Sequence, residues 1–288
     1  MQLDPIAIDA GARLAALATV GSTNTEARIR ARTGERGPLW ITAVAQTAGR
    51  GRAGRRFISP PGNLYASLLL FDPSPVEHAP ELAFVTALAL RDAVIAEAPA
   101  LAPSLALKWP NDLLLANEKC AGILIEGEVD PNEGASVVIG LGVNCAHHPP
   151  SASERSPQVA DAAQPLPAPI RTEAVSYPAT DLRAQGADVS PQLLFKRLSA
   201  TMCLRIAQWD RGRGFSRIVD DWLSAAHGIG EMIRVRNGAT EKTGRFIGLD
   251  RAGRLLLELP GGGVEQISAG DVFPFALRGD RLVPSEQD

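Results

Sequence analysis

The sequence predicts an α+β protein: a mixed, largely antiparallel sheet with helices, followed by a small C-terminal β-barrel. Three observations carry that expectation. Between Leu105 and Asn144 three strand-like runs follow one another with only turns between them, so they must largely be antiparallel neighbours. Helical spacing recurs from Leu82 to Pro99 and again after Ser190, which supplies a covering layer. From Met232 onward short strands alternate with tight turns, the pattern of a small closed barrel of about 55 residues. A chain of 288 residues has room for one large domain and a small one, expected as 1–228 and 229–288.

In chain order, Thr23-x-x-Glu26 reads as a capping box, and Gly34 stops the helix that it starts. Residues 39–45 and 63–71 are strand-like and flank the loop Gln46-Thr-Ala-Gly-Arg-Gly-Arg-Ala-Gly-Arg55. After the helix that ends at Pro99, turns at Asn117-Glu118 and Asp130-Pro131-Asn132 divide the three strands of 105–144. Residues 147–178 are rich in proline and poor in large apolar side chains, a composition that cannot build a packed core. Ser190-Pro191 caps a helix running to about Trp209. Phe215, Ile218, Val219, Trp222 and Leu223 form one apolar helical stripe that ends at Gly228. Strands then fall at 233–236, 244–249, 255–259 and 264–267.

Composition excludes several classes. With 29 Lys+Arg against 32 Asp+Glu, a net charge of −3 rules out a surface that is everywhere a partner for nucleic acid or anionic membrane. Cys120, Cys145 and Cys203 are odd in number and far apart, so neither a disulfide framework nor a zinc site is readable, and a reduced, cytoplasmic location is expected. No apolar run approaches the ~20 residues of a membrane span, and the start of the chain does not read as a signal peptide.

Four segments carry candidate chemistry. Gly49-Arg-Gly-Arg-Ala-Gly54 matches G-x-G-x-x-G, but Pro60 and Pro61 follow where a dinucleotide fold needs a helix, and arginines fill positions that need little bulk. Arg50, Arg52, Arg55 and Arg56 suit phosphate clamping, or else form a solvated basic turn. Lys108-Trp-Pro-Asn-Asp112 sets a cation, an amide and a carboxylate at a proline-fixed bend, where Asn111 and Asp112 are ligands or turn residues. Lys119, at the mouth of an apolar strand, either snorkels to water or binds an anion in a cleft. The alternating glycines of Gly140-Leu-Gly-Val-Asn144 leave room for something flat against the backbone.

Together with Gly21-Ser-Thr-Asn24 and Lys119-x-Ala-Gly-Ile-Leu-Ile-Glu126, these segments stand in the order and spacing of biotin protein ligases. The sequence strongly resembles that family over roughly residues 15–145, more loosely through Pro178-Ala-Thr-Asp-Leu182, and in its small C-terminal barrel. The resemblance implies a catalytic domain of the class II synthetase-like type and an SH3-like barrel. It implies the monofunctional form, since only about 20 residues precede Gly21 and leave no room for the DNA-binding domain of bifunctional members. The implied reaction activates biotin with ATP and magnesium as biotinoyl-5′-AMP. The acyl group then passes to a lysine of the biotin carboxyl carrier domain of acetyl-CoA carboxylase or a related carboxylase.

By the same resemblance, Ser22, Thr23, Asn24 and Gln46 surround the ureido ring, Gly51 and Arg52 close over biotin, and Gly140 and Gly142 line the bicycle. Lys119 holds the biotin carboxylate. Arg50, Arg52 and Arg55 meet phosphates, with Asn111, Asp112, Asn144 and a magnesium ion near Asp112 on the nucleotide side. Lys119, Arg52 and Asp112 are the catalytic candidates. One departure stands out: Phe57 occupies the place where the family most often has tryptophan, the expected partner of adenine. Monomer and homodimer both remain open. A lipoate or octanoate ligase of the same fold is the main alternative. A nucleic-acid-binding regulator would need a basic face or a helix-turn-helix, and the sequence reads as neither; a biotin-storing protein would bind biotin yet release no pyrophosphate.

Overall fold

Asp4 starts the first helix, α1 (Pro5–Asp9). Its carboxylate accepts from the Ile6 N–H, and Pro5 sits where no backbone donor is needed. In the computed structural model, which describes residues 1–130, 134–149, 177–238 and 240–274, strand β1 (Arg13–Val20) follows. Helix α2 (Thr23–Arg32) then crosses over to β2 (Leu39–Gln46), which pairs with β1 in parallel. Next come β3 (Leu64–Phe71), helix α3 (Leu82–Glu97), β4 (Leu105–Lys108), β5 (Asp112–Leu115), β6 (Glu118–Asp130) and β7 (Gly134–Val143). These strands form one sheet in the order β1-β2-β3-β7-β6-β5-β4, in which every pair except β1 with β2 is antiparallel.

Strand periodicity assigns the two faces. Trp40, Leu68, Leu70, Val137 and Ile139 point into the main core under α3 and two further helices, α4 (Pro191–Trp209) and α5 (Phe215–Ser224). The intervening Leu39, Ile41, Leu69 and Val138 pack with Ala27 and Ala31 of α2 on the other face. Because both faces are covered there, these strands read as continuous apolar runs. The α2 face continues along the register Ser67↔Gly140↔Leu124 and Tyr65↔Gly142↔Gly122↔Asp112, and the site is built on that stretch.

The C-terminal residues form a second, antiparallel sheet from β8 (Met232–Asn237), β9 (Thr240–Leu249), β10 (Leu255–Glu258), β11 (Val264–Ile267) and β12 (Asp271–Pro274), in the order β11-β10-β9-β8-β12. It docks on the larger unit where the buried Trp109 indole donates to the Gly253 carbonyl at 3.1 Å.

Several expectations are corrected. The capping box is absent: Ser22 takes the N-cap position without a side-chain bond, Thr23 turns its hydroxyl to Gln46, and Glu26 pairs with Arg30 at 2.9 Å. Residues 105–143 hold four strands rather than three, because the ladder turns back on itself at Pro110 between β4 and β5. Strand β1 was not foreseen, since its alanines carry little strand propensity. Helix α5 ends at Ser224, short of Gly228. The small barrel has a fifth strand, β12, and its end strands β11 and β12 are not hydrogen-bonded among the described residues, so its ladder is open rather than closed. Most of the proline-rich stretch 147–178 and the turn at 131–133 lie outside the described residues.

Candidate active site

A cavity of about 290 Å³ opens on the uncovered part of the α2 face, and every candidate residue named from the sequence lines it. One end is a polar shelf at the start of α2. Gln46 Oε1 accepts from the Thr23 N–H at 2.8 Å and from its hydroxyl at 3.1 Å, while Gln46 Nε2 donates to Ser59 Oγ at 3.0 Å. Below them Ser67, fully buried on β3, lies 2.8 Å from Thr23 Oγ1 and donates to Asn24 Oδ1 at 2.6 Å. The other end of the Asn24 amide donates to Glu126 Oε2 at 2.7 Å, so its orientation is fixed from both sides.

The two wall glycines line the cavity and also lie tight against the chain's own side chains. A Cβ at Gly140 would collide with the Asn24 amide, and one at Gly142 would lie 2.5 Å from Phe57 Cε1 and Cζ. The room that they leave is therefore filled by this chain's own side chains. Phe57 is half-buried there, edge-on to Tyr65 at 6.2 Å between ring centroids.

Above the cavity the arginine loop closes on itself, with Phe57 N–H donating to the Gly49 carbonyl at 2.9 Å and Gly51 N–H to that of Arg55 at 2.7 Å. Arg50 donates to Thr25 Oγ1 at 2.8 Å and pairs with Glu126 at 3.3 Å. Arg52 donates to Asn111 Oδ1 at 3.1 Å, and Asn111 Nδ2 to the Ile123 carbonyl at 2.5 Å, so the Asn111 amide is engaged at both ends. Asn144 Nδ2 is likewise spent on the Thr180 carbonyl at 2.9 Å.

At the far end Asp112 is held between two lysines, Lys119 Nζ at 2.5 Å on Oδ1 and Lys108 Nζ at 3.2 Å on Oδ2. Burial acts to raise the Asp112 carboxyl, but the two ammonium groups outweigh it and hold it below the usual carboxylate range. Burial also pulls the Lys108 ammonium below its ordinary value, and Asp112 opposes that only in part. The Tyr177 ring lies 5.0 Å from Lys108 Nζ, and burial pushes its phenol up to about 12. Lys119 differs from Lys108: its side chain is 38% exposed against 9%, so its ammonium can leave Asp112 for a ligand.

The donor set does not fit a resident magnesium ion at Asp112. Both carboxylate oxygens face ammonium groups, and among the described residues no three His, Cys, Asp or Glu side chains gather into a ligand set. Three residues that build the site were not singled out from the sequence: Ser67, Tyr177 and Asp271. Lys108 was visible as the cation of its motif but carried no assigned role.

The chain that builds this sheet face, with a polar shelf at one end, cations at the other and an arginine loop above, matches two protein families. The biotin/lipoate A/B protein ligase family matches residues 17–144, and the biotin protein ligase C terminal domain matches residues 228–273. A biotin–[acetyl-CoA-carboxylase] ligase of Paracoccus denitrificans is 37% identical over 89% of this chain and 98% of its own. A protein of the same description from Mycobacterium tuberculosis is 31% identical over 90% of this chain and 88% of its own. The solved biotin protein ligase of Aquifex aeolicus, in complex with biotin and ATP, shares the fold at a TM-score of 0.69 and 22% identity, covering 91% of this chain and 97% of that one. The chain belongs to the biotin protein ligase family, and it is a ligase. No helix among the described residues is long and apolar enough to cross a membrane.

Proposed function

We propose that the enzyme joins biotin to ATP as biotinoyl-5′-AMP and passes the acyl group to one lysine of a biotin carboxyl carrier domain of acetyl-CoA carboxylase or a related carboxylase. The observation that carries this reading is the pairing, on one sheet face, of a polar shelf of Ser22, Thr23 and Gln46 with the partly exposed Lys119 ammonium. A ureido ring needs donors and acceptors together, and a carboxylate at the other end of the same molecule needs a cation. A dithiolane ring would leave the shelf unsatisfied, and a site built for polar contacts rejects a ligand that lacks them.

In the first half-reaction a biotin carboxylate oxygen attacks the α-phosphorus and pyrophosphate departs. In the second a carrier amine attacks the acyl carbon, loses a proton and expels AMP. Lys119 would exchange Asp112 for the biotin carboxylate and then stabilise charge on the acyl-phosphate oxygens. Asp112, kept acidic by its lysines, is a poor proton acceptor and acts instead to hold Lys119 and Lys108 in place. Arg52 and Arg55 would meet the phosphates, and Arg50 and Gly51 would complete the loop over the ligand. Phe57 would face adenine, near Asn111 and Asn144. Magnesium would arrive on the nucleotide phosphates.

Mass spectrometry of the purified chain with biotin, ATP and magnesium tests the reading. A bound species with the mass of biotinoyl-AMP is expected, followed by its loss and a biotinyl mass gain on an added carrier domain. Adenylation of lipoate or octanoate in preference to biotin, or binding without pyrophosphate release, would overturn it.

A further inference from the structure

The arginine loop is tied to the C-terminal sheet. Arg55 Nη2 donates to Asp271 Oδ1 at 2.9 Å, and Arg52 Nη1 lies 3.8 Å from the same oxygen. Arg52 Nη1 also donates to the neighbouring Gly270 carbonyl at 3.3 Å. The two sides of this contact differ in their support. Asp271 opens β12 in register with Arg236 of β8, and Arg236 is itself held by Glu241 at 3.1 Å. The middle of the loop, residues 52–54, is a single turn with Ala53 in a left-handed conformation.

We propose that Asp271 is a positioning residue. It clasps the arginine loop over the cavity through Arg52 and Arg55, and so retains the acyl-adenylate between the two half-reactions. The identity of the retained intermediate rests on the reading above, whereas the clasp is a contact between residues of the chain itself.

Donor counting shows that the clasp need not compete with a phosphate. A guanidinium has five N–H donors. The clasp uses Arg52 Nη1 and Arg55 Nη2, and Arg55 Nε is turned to the Arg52 carbonyl. Arg52 Nε and Nη2 and Arg55 Nη1 have no such partner among the described residues, so anion binding and the clasp can coexist. With the Arg55 and Asp271 side chains 60% and 35% exposed, loss of the pair should change loop opening by a factor of a few rather than by orders of magnitude.

The test uses the full chain with Asp271→Ala and Asp271→Glu. In the first arm the ligand-free protein is digested with limiting trypsin, for which Arg52 and Arg55 are cleavage sites. In the second, preformed biotinoyl-AMP complex is chased with excess unlabelled biotin. In Asp271→Ala, loop cleavage and adenylate loss should both quicken roughly three- to tenfold, with adenylate formation in a single turnover falling less than retention. The glutamate variant should restore most of both, and the thermal midpoint should hold. Wild-type cleavage and retention in the alanine variant would overturn the clasp. So would tighter retention, which would make Asp271 a competitor of phosphate, or cleavage spread along the chain with an early melt, which would make its role structural. If wild-type protein forms no biotinoyl-AMP, the proposed reaction fails while the trypsin arm still decides the clasp.

Discussion

The ring of Phe57 rests on the backbone of Gly142, in the volume that a side chain at position 142 would need. The loop that carries Phe57 and the strand that carries Gly142 therefore depend on each other's shape. If Phe57 is the face on which adenine stacks, Phe57→Ala should raise the apparent KM for ATP about 5- to 150-fold, the scale of one base–aromatic contact. Biotin affinity without nucleotide should change less than about threefold. Phe57→Trp meets the Gly142 backbone with a larger ring, so a lower thermal midpoint is expected, reflecting about 1 to 3 kcal/mol of overpacking. An unchanged ATP KM in the alanine variant would leave Phe57 as packing alone.

Lys119 is the exposed arm of the lysine–aspartate–lysine group, so its charge can be removed with little effect on the core. Lys119→Met should fold with a midpoint close to wild type and release pyrophosphate roughly 100-fold more slowly, as for loss of one positioned charge at a reacting anion. Near-normal release would take Lys119 out of the chemistry.

Lys108 is the buried arm, and Asp112 is the carboxylate it faces. Asp112→Asn should cost about 3 to 5 kcal/mol, because a buried ammonium loses its counter-charge. Adding Lys108→Met should recover much of that loss. The pH dependence has a definite sign. A carboxyl held below its ordinary value contributes stability that is complete above the unfolded pKa and is lost as pH falls through the folded one. Lys108 works the other way: its lowered pKa means that stability rises with pH from the folded value up to the unfolded one, near 10.4. Denaturant midpoints at acid and alkaline pH should therefore shift in wild type and flatten in the double variant; equal slopes in both proteins would deny the coupling.

Ser67 does not itself line the cavity, yet it holds two residues that do. Ser67→Ala strips Asn24 Oδ1 of its donor and should cost about 1 to 3 kcal/mol for a buried polar atom left unpaired. A higher KM for biotin with kcat largely retained is expected, and Ser67→Thr should restore part of it if the hydroxyl reaches the same amide. A stability loss with no change in the biotin KM would confine Ser67 to the core.

What the sequence made legible follows distance along the chain. Lys108, Asn111, Asp112 and Lys119 lie within the three consecutive strands β4, β5 and β6 and the turns between them, so their convergence could be anticipated from a short stretch of sequence. The three helices α3, α4 and α5 announced themselves through spacing and caps. Ser67 was hidden because it is a lone hydroxyl in an apolar strand, and its neighbours across the ladder come from elsewhere in the sequence. Asp271 pairs with an arginine 216 positions away, a relationship that no local pattern encodes. The glycines at 140 and 142 were visible, but what fills the space beside them depends on α2 and the loop arriving from other parts of the fold.

The cavity draws its walls from Ser22, just before α2, to Phe273 in β12. A polypeptide emerging from the ribosome would thus lack one side of the binding site until β12 had been synthesised and docked. Contacts of such long sequence separation form late, since each must first close a long loop. The same strand contributes Val272 to the main hydrophobic core, so a nascent chain would finish that core and the binding site together. Competence for binding would then wait on the docking of β12.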